Sequence, residues 1–227
     1  MLFRSFVAGA ALALLATAPA SAAPVLTMPL KPCYVAASAE DAQREPVIVR
    51  AAGFSRLAMV DIYVDDILQT SAQASYAGTL DGSVRAPSIE TGQRVFSLRL
   101  TERDAPINTV SATALVTRLS VEQLPAQART SQRVRFRGRG FTSLAPVYAH
   151  YVFAGKSRRT VLIGTPQAPC GTFSVRRRQF PFKKSPRRGV WTIWFDQEQR
   201  YTPKAAVRVP LKVRVKSRIK PRRARAR

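Results

Sequence analysis

The sequence predicts an all-β protein made of two tandem β-sandwiches. Apolar and basic residues alternate over 133–140, which is typical of a half-buried strand with Val134 and Phe136 facing a core. The same pattern occurs 87 residues upstream, beginning at Val47. Turn signals about every 8–12 residues and an almost complete lack of helical periodicity are typical of sandwiches. A duplicated sandwich accounts for all three observations.

The N-terminal segment has the pattern of a secretory signal peptide. Arg4 supplies a positive charge, an apolar run follows over 6–15, and Ala20, Ser21 and Ala22 are small residues suited to cleavage. We therefore expect cleavage after Ala22 and a secreted chain of 227 − 22 = 205 residues. An uncleaved N-terminal anchor is the alternative, but the apolar run is short for a membrane span.

The first predicted sandwich follows the signal peptide. Its leader strand, 24–34, is interrupted by two prolines, as edge strands are. Asp81 and Gly82 form a strong turn signal within it. The other strands are predicted at 47–51, 59–64, 67–70, 94–101 and 109–117.

The second sandwich repeats this order and begins at 117–118 without a Gly/Ser linker, which favours a stiff tandem. Its strands are predicted at 119–123, 133–138, 147–153, 159–163, 171–178, 190–195 and 207–215. The predicted division is a signal peptide (1–22), a near-neutral domain (23–117), a strongly basic domain (118–216) and a disordered basic tail (217–227).

Charge is distributed very unevenly between the two halves. Residues 24–117 hold eight Lys/Arg and ten Asp/Glu, whereas 118–227 hold 28 Lys/Arg and three Asp/Glu. A GC-rich genome, which raises the arginine content of its proteins, is the simplest alternative explanation of the positive charge. That explanation predicts that both halves are basic. The asymmetry therefore indicates different roles for the two copies.

Two cysteines, Cys33 and Cys170, remain after signal removal. In an oxidising compartment such a pair usually forms a disulfide, and here it would join the two domains. The closed loop of 170 − 33 = 137 residues would gain roughly 4–5 kcal/mol of stability on the chain-entropy account. Free buried thiols and intermolecular bridges are the alternatives.

The repeated pattern reads V-I-V-R-A-A-G-F-S-R-L-A from Val47 and V-R-F-R-G-R-G-F-T-S-L-A from Val134. It resembles the second-strand region of immunoglobulin-like domains of the TIG/IPT type. It is also similar to that region of the secreted neocarzinostatin-type apoproteins of actinobacteria. The resemblance implies two immunoglobulin-like sandwiches and, for the whole chain, a secreted two-domain actinobacterial protein. Neocarzinostatin-type domains carry two internal disulfides, whereas each half here has one cysteine, so their chromophore binding is not carried over.

The sequence offers little that could support catalysis. Its one histidine, His150, lies within a strand pattern, where a structural role is the expectation. No metalloprotease, hydrolase or phosphate-loop motif is present. Asp61, Asp65 and Asp66 form an acidic cluster, for which solvation is a simpler interpretation than calcium binding. We expect neither an enzyme nor a cofactor or metal.

The basic surface is the strongest functional signal. Arginines are suited to bidentate capture of phosphate and carboxylate, and dense like charge is relieved by a polyanion. The candidate polyanion-binding residues are Arg133, Arg135, Arg137, Arg139, Arg176, Arg178, Lys183, Lys184, Arg187, Arg188, Lys212, Arg214 and Lys216.

These observations predict a secreted, non-enzymatic binding protein associated with the cell envelope. Its expected partner is an anionic cell-wall polymer or membrane surface, with non-specific nucleic acid as a further partner. One alternative is a carrier of a small apolar ligand in a neocarzinostatin-like sandwich, which requires a cavity of roughly 300 Å³ or more lined by aromatic residues. The other alternative is a solvated basic surface without a specific partner.

Overall fold

The computed structural model describes residues 23–37, 43–205 and 207–216. The predicted signal peptide and basic tail lie outside the described residues. Within them, no helix is long and apolar enough to cross a membrane. The first eight strands are β1 (Val25–Leu26), β2 (Cys33–Ala36), β3 (Pro46–Ala52), β4 (Met59–Val64), β5 (Ile67–Gln73), β6 (Thr79–Arg85), β7 (Gln93–Glu102) and β8 (Thr109–Arg118). The others are β9 (Ser120–Leu124), β10 (Arg133–Arg139), β11 (Val147–Phe153), β12 (Lys156–Gly164), β13 (Phe173–Arg178), β14 (Gly189–Asp196) and β15 (Arg208–Val215).

Four sheets form two sandwiches. The first sandwich has sheets in the order β1-β3-β6 and β2-β8-β7-β4-β5, and the second has sheets in the order β13-β10-β9 and β12-β11-β14-β15. All strand pairs are antiparallel except β2 with β8, which is parallel. Both sandwiches share the order of an immunoglobulin-like fold, so the predicted all-β class with two tandem sandwiches is confirmed.

Each sandwich has its own core, drawn from both of its sheets. In the first, Val49 of β3 and Ile62 of β4 are fully buried in one cluster. In the second, Phe136 of β10 and Phe195 of β14 pack with their ring centroids 5.3 Å apart. The alternation of buried and exposed residues along β3 and β10 is identical at all seven positions.

The sequence repeat is also a repeat of backbone conformation. Leu57 and Leu144 are both left-handed, with φ of 58° and 57°. In each copy the backbone of the glycine-phenylalanine pair lies directly against a glycine further along the chain. The N–H of Phe54 donates to the carbonyl of Gly78, and the N–H of Phe141 donates to the carbonyl of Gly171, both at 3.2 Å. A Cβ on either later glycine would collide with the phenylalanine backbone. The motif is therefore a tight backbone crossing in both sandwiches.

The predicted turn at Asp81 and Gly82 is wrong, because both residues lie inside β6. Gly82 pairs with Val49 of β3, and a Cβ there would lie 3.5 Å from Ile62 Cδ1. The chain continues as a strand because its partner strand satisfies the backbone, which overrides the local turn preference.

The disulfide between Cys33 and Cys170 is present, with a Cα–Cα distance of 5.3 Å and a separation of 137 residues. Cys33 lies on β2, the one strand of the first sandwich that has no counterpart in the second. The carbonyl of Cys170 accepts the N–H of Gly140 at 2.9 Å. The extra strand thus links the first sandwich to the backbone crossing of the second.

Candidate anion-binding surface

The arginines of β10 alternate with buried residues, as the pattern predicts. Arg133, Arg135 and Arg137 are exposed, because β10 lies between β9 and β13 and turns its even-numbered residues into the core. Arg139 differs, since it is half-buried and its guanidinium points toward Gly92 of the first sandwich. The outward row therefore consists of three exposed arginines and one that contacts the neighbouring sandwich.

The strand register places further arginines beside this row. Arg133 lies opposite Arg178 of β13, and Arg135 lies opposite Arg176, and all four are exposed. Like charges directly opposite each other on one face of a sheet are destabilising. We call Arg133, Arg135, Arg137, Arg176 and Arg178 together the arginine face.

Carboxylates hardly neutralise this face. The one described carboxylate within 4.0 Å of it is Glu122, which lies 3.9 Å from Arg137. The first sandwich contrasts sharply, because five of its cations are paired with acids. Its ion pairs are Lys31–Glu45, Arg50–Asp81, Arg94–Asp65, Arg99–Asp66 and Arg103–Asp61. Five acids of the first sandwich are thus engaged locally rather than with the arginine face.

The loop between β13 and β14 carries the densest group of charges in the described chain. Its side chains Lys183, Lys184, Arg187 and Arg188 are all exposed. Trp191 anchors the loop, because its indole N–H donates to the carbonyl of Arg187 at 2.8 Å. The backbone is thereby fixed while the cationic side chains remain in solvent.

The row on β15 also faces solvent: Lys212, Arg214 and Lys216 are exposed while Val215 is buried. Its position suggests a second role, since β15 is an edge strand, whereas the equivalent β8 is covered by β2. Lysine and arginine on an open edge discourage pairing with other strands.

Two clefts on the second sandwich are lined by part of the predicted basic residues. The first has a volume of about 530 Å³, and we call it the basic cleft; it is lined by Arg133, Tyr151, Arg159, Val161, Arg176, Arg177, Arg178, Pro181, Phe182 and Lys183. The second, of about 540 Å³, collects the β15 row beside 126–130. The basic cleft therefore contains four of the predicted residues, Arg133, Arg176, Arg178 and Lys183, and the second cleft contains Lys212, Arg214 and Lys216. The other six predicted residues line neither cleft: Arg135, Arg137, Arg139, Lys184, Arg187 and Arg188.

Sequence reasoning missed Tyr151, Arg159, Arg177 and Phe182. Tyr151 carried a usable signal, because the repeat offset of 87 residues aligns it with Val64, a smaller and wholly apolar residue. The other three had no such signal, since their place in the cleft depends on how two edge strands approach each other.

His150 is fully buried and holds three strands together. Its Nε2 lies 3.0 Å from both Asp196 Oδ1 and the Glu198 carbonyl, and its Nδ1 lies 2.8 Å from Thr160 Oγ1. Because the carbonyl only accepts, Nε2 carries a hydrogen and donates it, while Nδ1 is paired with the Thr160 hydroxyl. Tyr201 packs against the imidazole at 5.6 Å between ring centroids. The imidazole is thereby enclosed by a hydrogen-bonded network.

The three carboxylates of the acidic cluster in the first sandwich are each paired with an arginine. Arg103 donates to Asp61 Oδ1 at 2.7 Å and Ser71 donates to the same oxygen at 2.6 Å, and together they hold the pKa of Asp61 below its usual 3.8. Within the described ranges, no three His, Cys, Asp or Glu side chains are grouped as metal ligands would be.

Comparison with known proteins adds no functional assignment. No protein-family model and no curated protein matches the chain. Similar solved structures include the fibronectin(III)-like modules of Clostridium thermocellum CbhA, at 10% identity over 85% of this chain and 94% of that chain, with a TM-score of 0.27. The human OSCAR ligand-binding domain is 11% identical over 82% of this chain and 99% of that chain, with a TM-score of 0.32. Because both TM-scores are low, the immunoglobulin-like assignment rests on this chain's own strand order.

Proposed function

We propose that the protein is a secreted, non-enzymatic binding protein that adheres to anionic polymers of the cell envelope. Adhesion takes place through the basic second domain, residues 118–216, while the near-neutral first domain, residues 23–117, supports it. The observation that carries the proposal is the arginine face, where exposed arginines of β10 and β13 lie opposite one another. Among the described residues, one carboxylate lies within 4.0 Å of this face, that of Glu122 beside Arg137.

The arrangement favours a polymer over a small counterion. Residues two apart on a strand are about 7 Å apart, so the face presents a two-dimensional array of positive charge. A polyanion contacts several guanidinium groups at once and releases its condensed counterions when it binds. It also relieves the repulsion between the opposed arginines, for which the described part of the chain supplies no carboxylate within 4.0 Å.

Export is supported by two features. The disulfide between Cys33 and Cys170 is typical of proteins from oxidising compartments. The N-terminal pattern that ends at Ala22 is typical of a cleaved signal. Outside the cell, the abundant anionic polymers are those of the wall, so we favour them over nucleic acid.

The test is the partition of purified protein between supernatant and cell-wall sacculi, before and after removal of their phosphate polymers. We expect retention on intact sacculi that falls steeply between about 50 and 200 mM salt. Retention that ignores salt, or that survives removal of the polymers, contradicts the proposal. DNA and anionic vesicles serve as competitors, and stronger binding to either would replace the wall polymer as the partner.

The apolar-carrier alternative gains no support from the interior. The rings of Phe136, Phe173 and Phe195 contact one another between the sheets of the second sandwich. The basic cleft does include two aromatic residues, but basic side chains make up most of its lining.

A further inference from the structure

The basic cleft differs from the arginine face because it is a concave site with a defined floor. It opens where the edge strands β12 and β13 of the two sheets approach each other. Six of its lining residues are basic and none is acidic. Its volume of about 530 Å³ lies within the range of small-molecule sites, roughly 300–1,000 Å³.

Tyr151 is a largely buried residue whose hydroxyl is presented to this cleft. The residue is 2% exposed, and its hydroxyl has no hydrogen-bond partner among the described residues. Burial raises the pKa of the hydroxyl strongly, although Arg177 and Arg159 oppose that rise. The group is therefore protonated at neutral pH, and it lies near two cations that also line the cleft.

Arg177 occupies a position that belongs to the core in the other copy. It pairs with Val134, just as Val84 of the first sandwich pairs with Val47, and Val84 is buried. Arg177 reaches across to β12, where it donates to the carbonyl of Ile163 at 3.4 Å. The guanidinium is thus held at the opening between the two sheets.

The two copies differ in the same way at both positions, because each has an apolar residue in the first copy and a polar or charged one in the second. Where the first sandwich has the valines Val64 and Val84, the second has Tyr151 and Arg177. Valines at these positions are sufficient for a stable sandwich, as the first copy shows. The ring of Tyr151 still packs in the core, 5.8 Å from that of Phe180, so the additions that a ligand can use are the Tyr151 hydroxyl and the Arg177 guanidinium.

We propose that the basic cleft binds a compact phosphate ester, with the phosphate held by Tyr151 and the surrounding cations. The organic part of the ester packs against Phe182 and Val161, the apolar side of the lining. The inference rests on the proposed function, because the ester is a phosphate-bearing unit of the anionic polymer. A phosphate carries enough charge to offset several of the cations and accepts hydrogen bonds from guanidinium groups in pairs.

Isothermal titration with phenyl phosphate as the probe tests the inference at about 150 mM salt. We expect one molecule bound per chain, more tightly than inorganic phosphate, because the ring adds contact with Phe182. Tyr151→Phe should weaken binding about tenfold, since a hydrogen bond to a charged group is lost. This variant breaks no internal hydrogen bond, so its fold is retained. Lys156→Gln, an exposed residue of the second sandwich that lines neither cleft, is the control and should leave the affinity unchanged.

The outcomes separate this inference from the proposed function. Absence of saturable binding by phenyl phosphate, or an unchanged affinity in Tyr151→Phe, overturns the cleft site even if retention on sacculi remains salt-dependent. Stoichiometric binding together with salt-independent retention supports the cleft but overturns adhesion to the polymer. Equal weakening in Tyr151→Phe and Lys156→Gln shows general electrostatic attraction, which also overturns a discrete site.

Discussion

Neutralising the opposed arginines should weaken polymer binding and strengthen the fold at the same time. In the variant Arg133→Gln, Arg135→Gln, Arg176→Gln and Arg178→Gln, two like-charged cross-strand pairs disappear. Each such pair destabilises the sheet by roughly 0.2–1 kcal/mol, so the free energy of unfolding should rise by about 0.5–2 kcal/mol. A variant that lost binding because it misfolded would instead have a lower free energy of unfolding than the parent protein.

The expected loss of binding follows from counterion release. Each phosphate contact contributes about 0.7–0.9 to the slope of log affinity against log salt. Four contacts therefore account for a loss of affinity of about 50- to 150-fold between about 50 and 200 mM salt. The variant should lack that part of the salt dependence.

The assay is retention on sacculi over this range of salt, together with thermal and urea unfolding of each variant. Arg50→Gln with Arg94→Gln is the control, because these arginines are paired with Asp81 and Asp65 in the first sandwich. The control should retain the salt slope and lose up to about 1 kcal/mol per exposed pair. An unchanged slope in the fourfold variant, or an equal decrease in both variants, refutes the reasoning.

Three further predictions concern the fold. Serine at Cys33 and Cys170 should lower the free energy of unfolding by about 4–5 kcal/mol, because the bridge closes a loop of 137 residues; an unchanged urea midpoint contradicts this. The folded-state pKa of Asp61 lies below 3.8, so its ion pair stabilises the protein above that pH and is lost as pH falls through the folded-state value. The parent protein should therefore melt at a higher temperature than Asp61→Asn at neutral pH, and this difference should vanish in acid. A difference that stays constant with pH argues against a stabilising ion pair at Asp61. Gly171→Ala should destabilise by at least twice the roughly 1 kcal/mol expected for Gly155→Ala, which has open space around it; equal thermal shifts exclude the backbone collision.

Much of the fold could be predicted because a strand has a local signature. The predicted strands 59–64 and 147–153 agree with β4 and β11 at both ends. Asp81 and Gly82 show the limit of that reasoning, since pairing with β3 outweighs a local turn preference. The bridge between Cys33 and Cys170 was predictable from the count of two cysteines, but not from any local pattern.

By itself, the sequence determined which residues alternate between core and solvent, and hence that β10 carries an outward row of arginines. Periodicity is a property of one strand, so one strand is enough to read it. Only the tertiary structure decided that Arg133 lies opposite Arg178, and that Tyr151 and Arg177 line one cleft with Phe182. Those relations depend on the register between strands and on the approach of two sheet edges, which contacts distant in sequence determine.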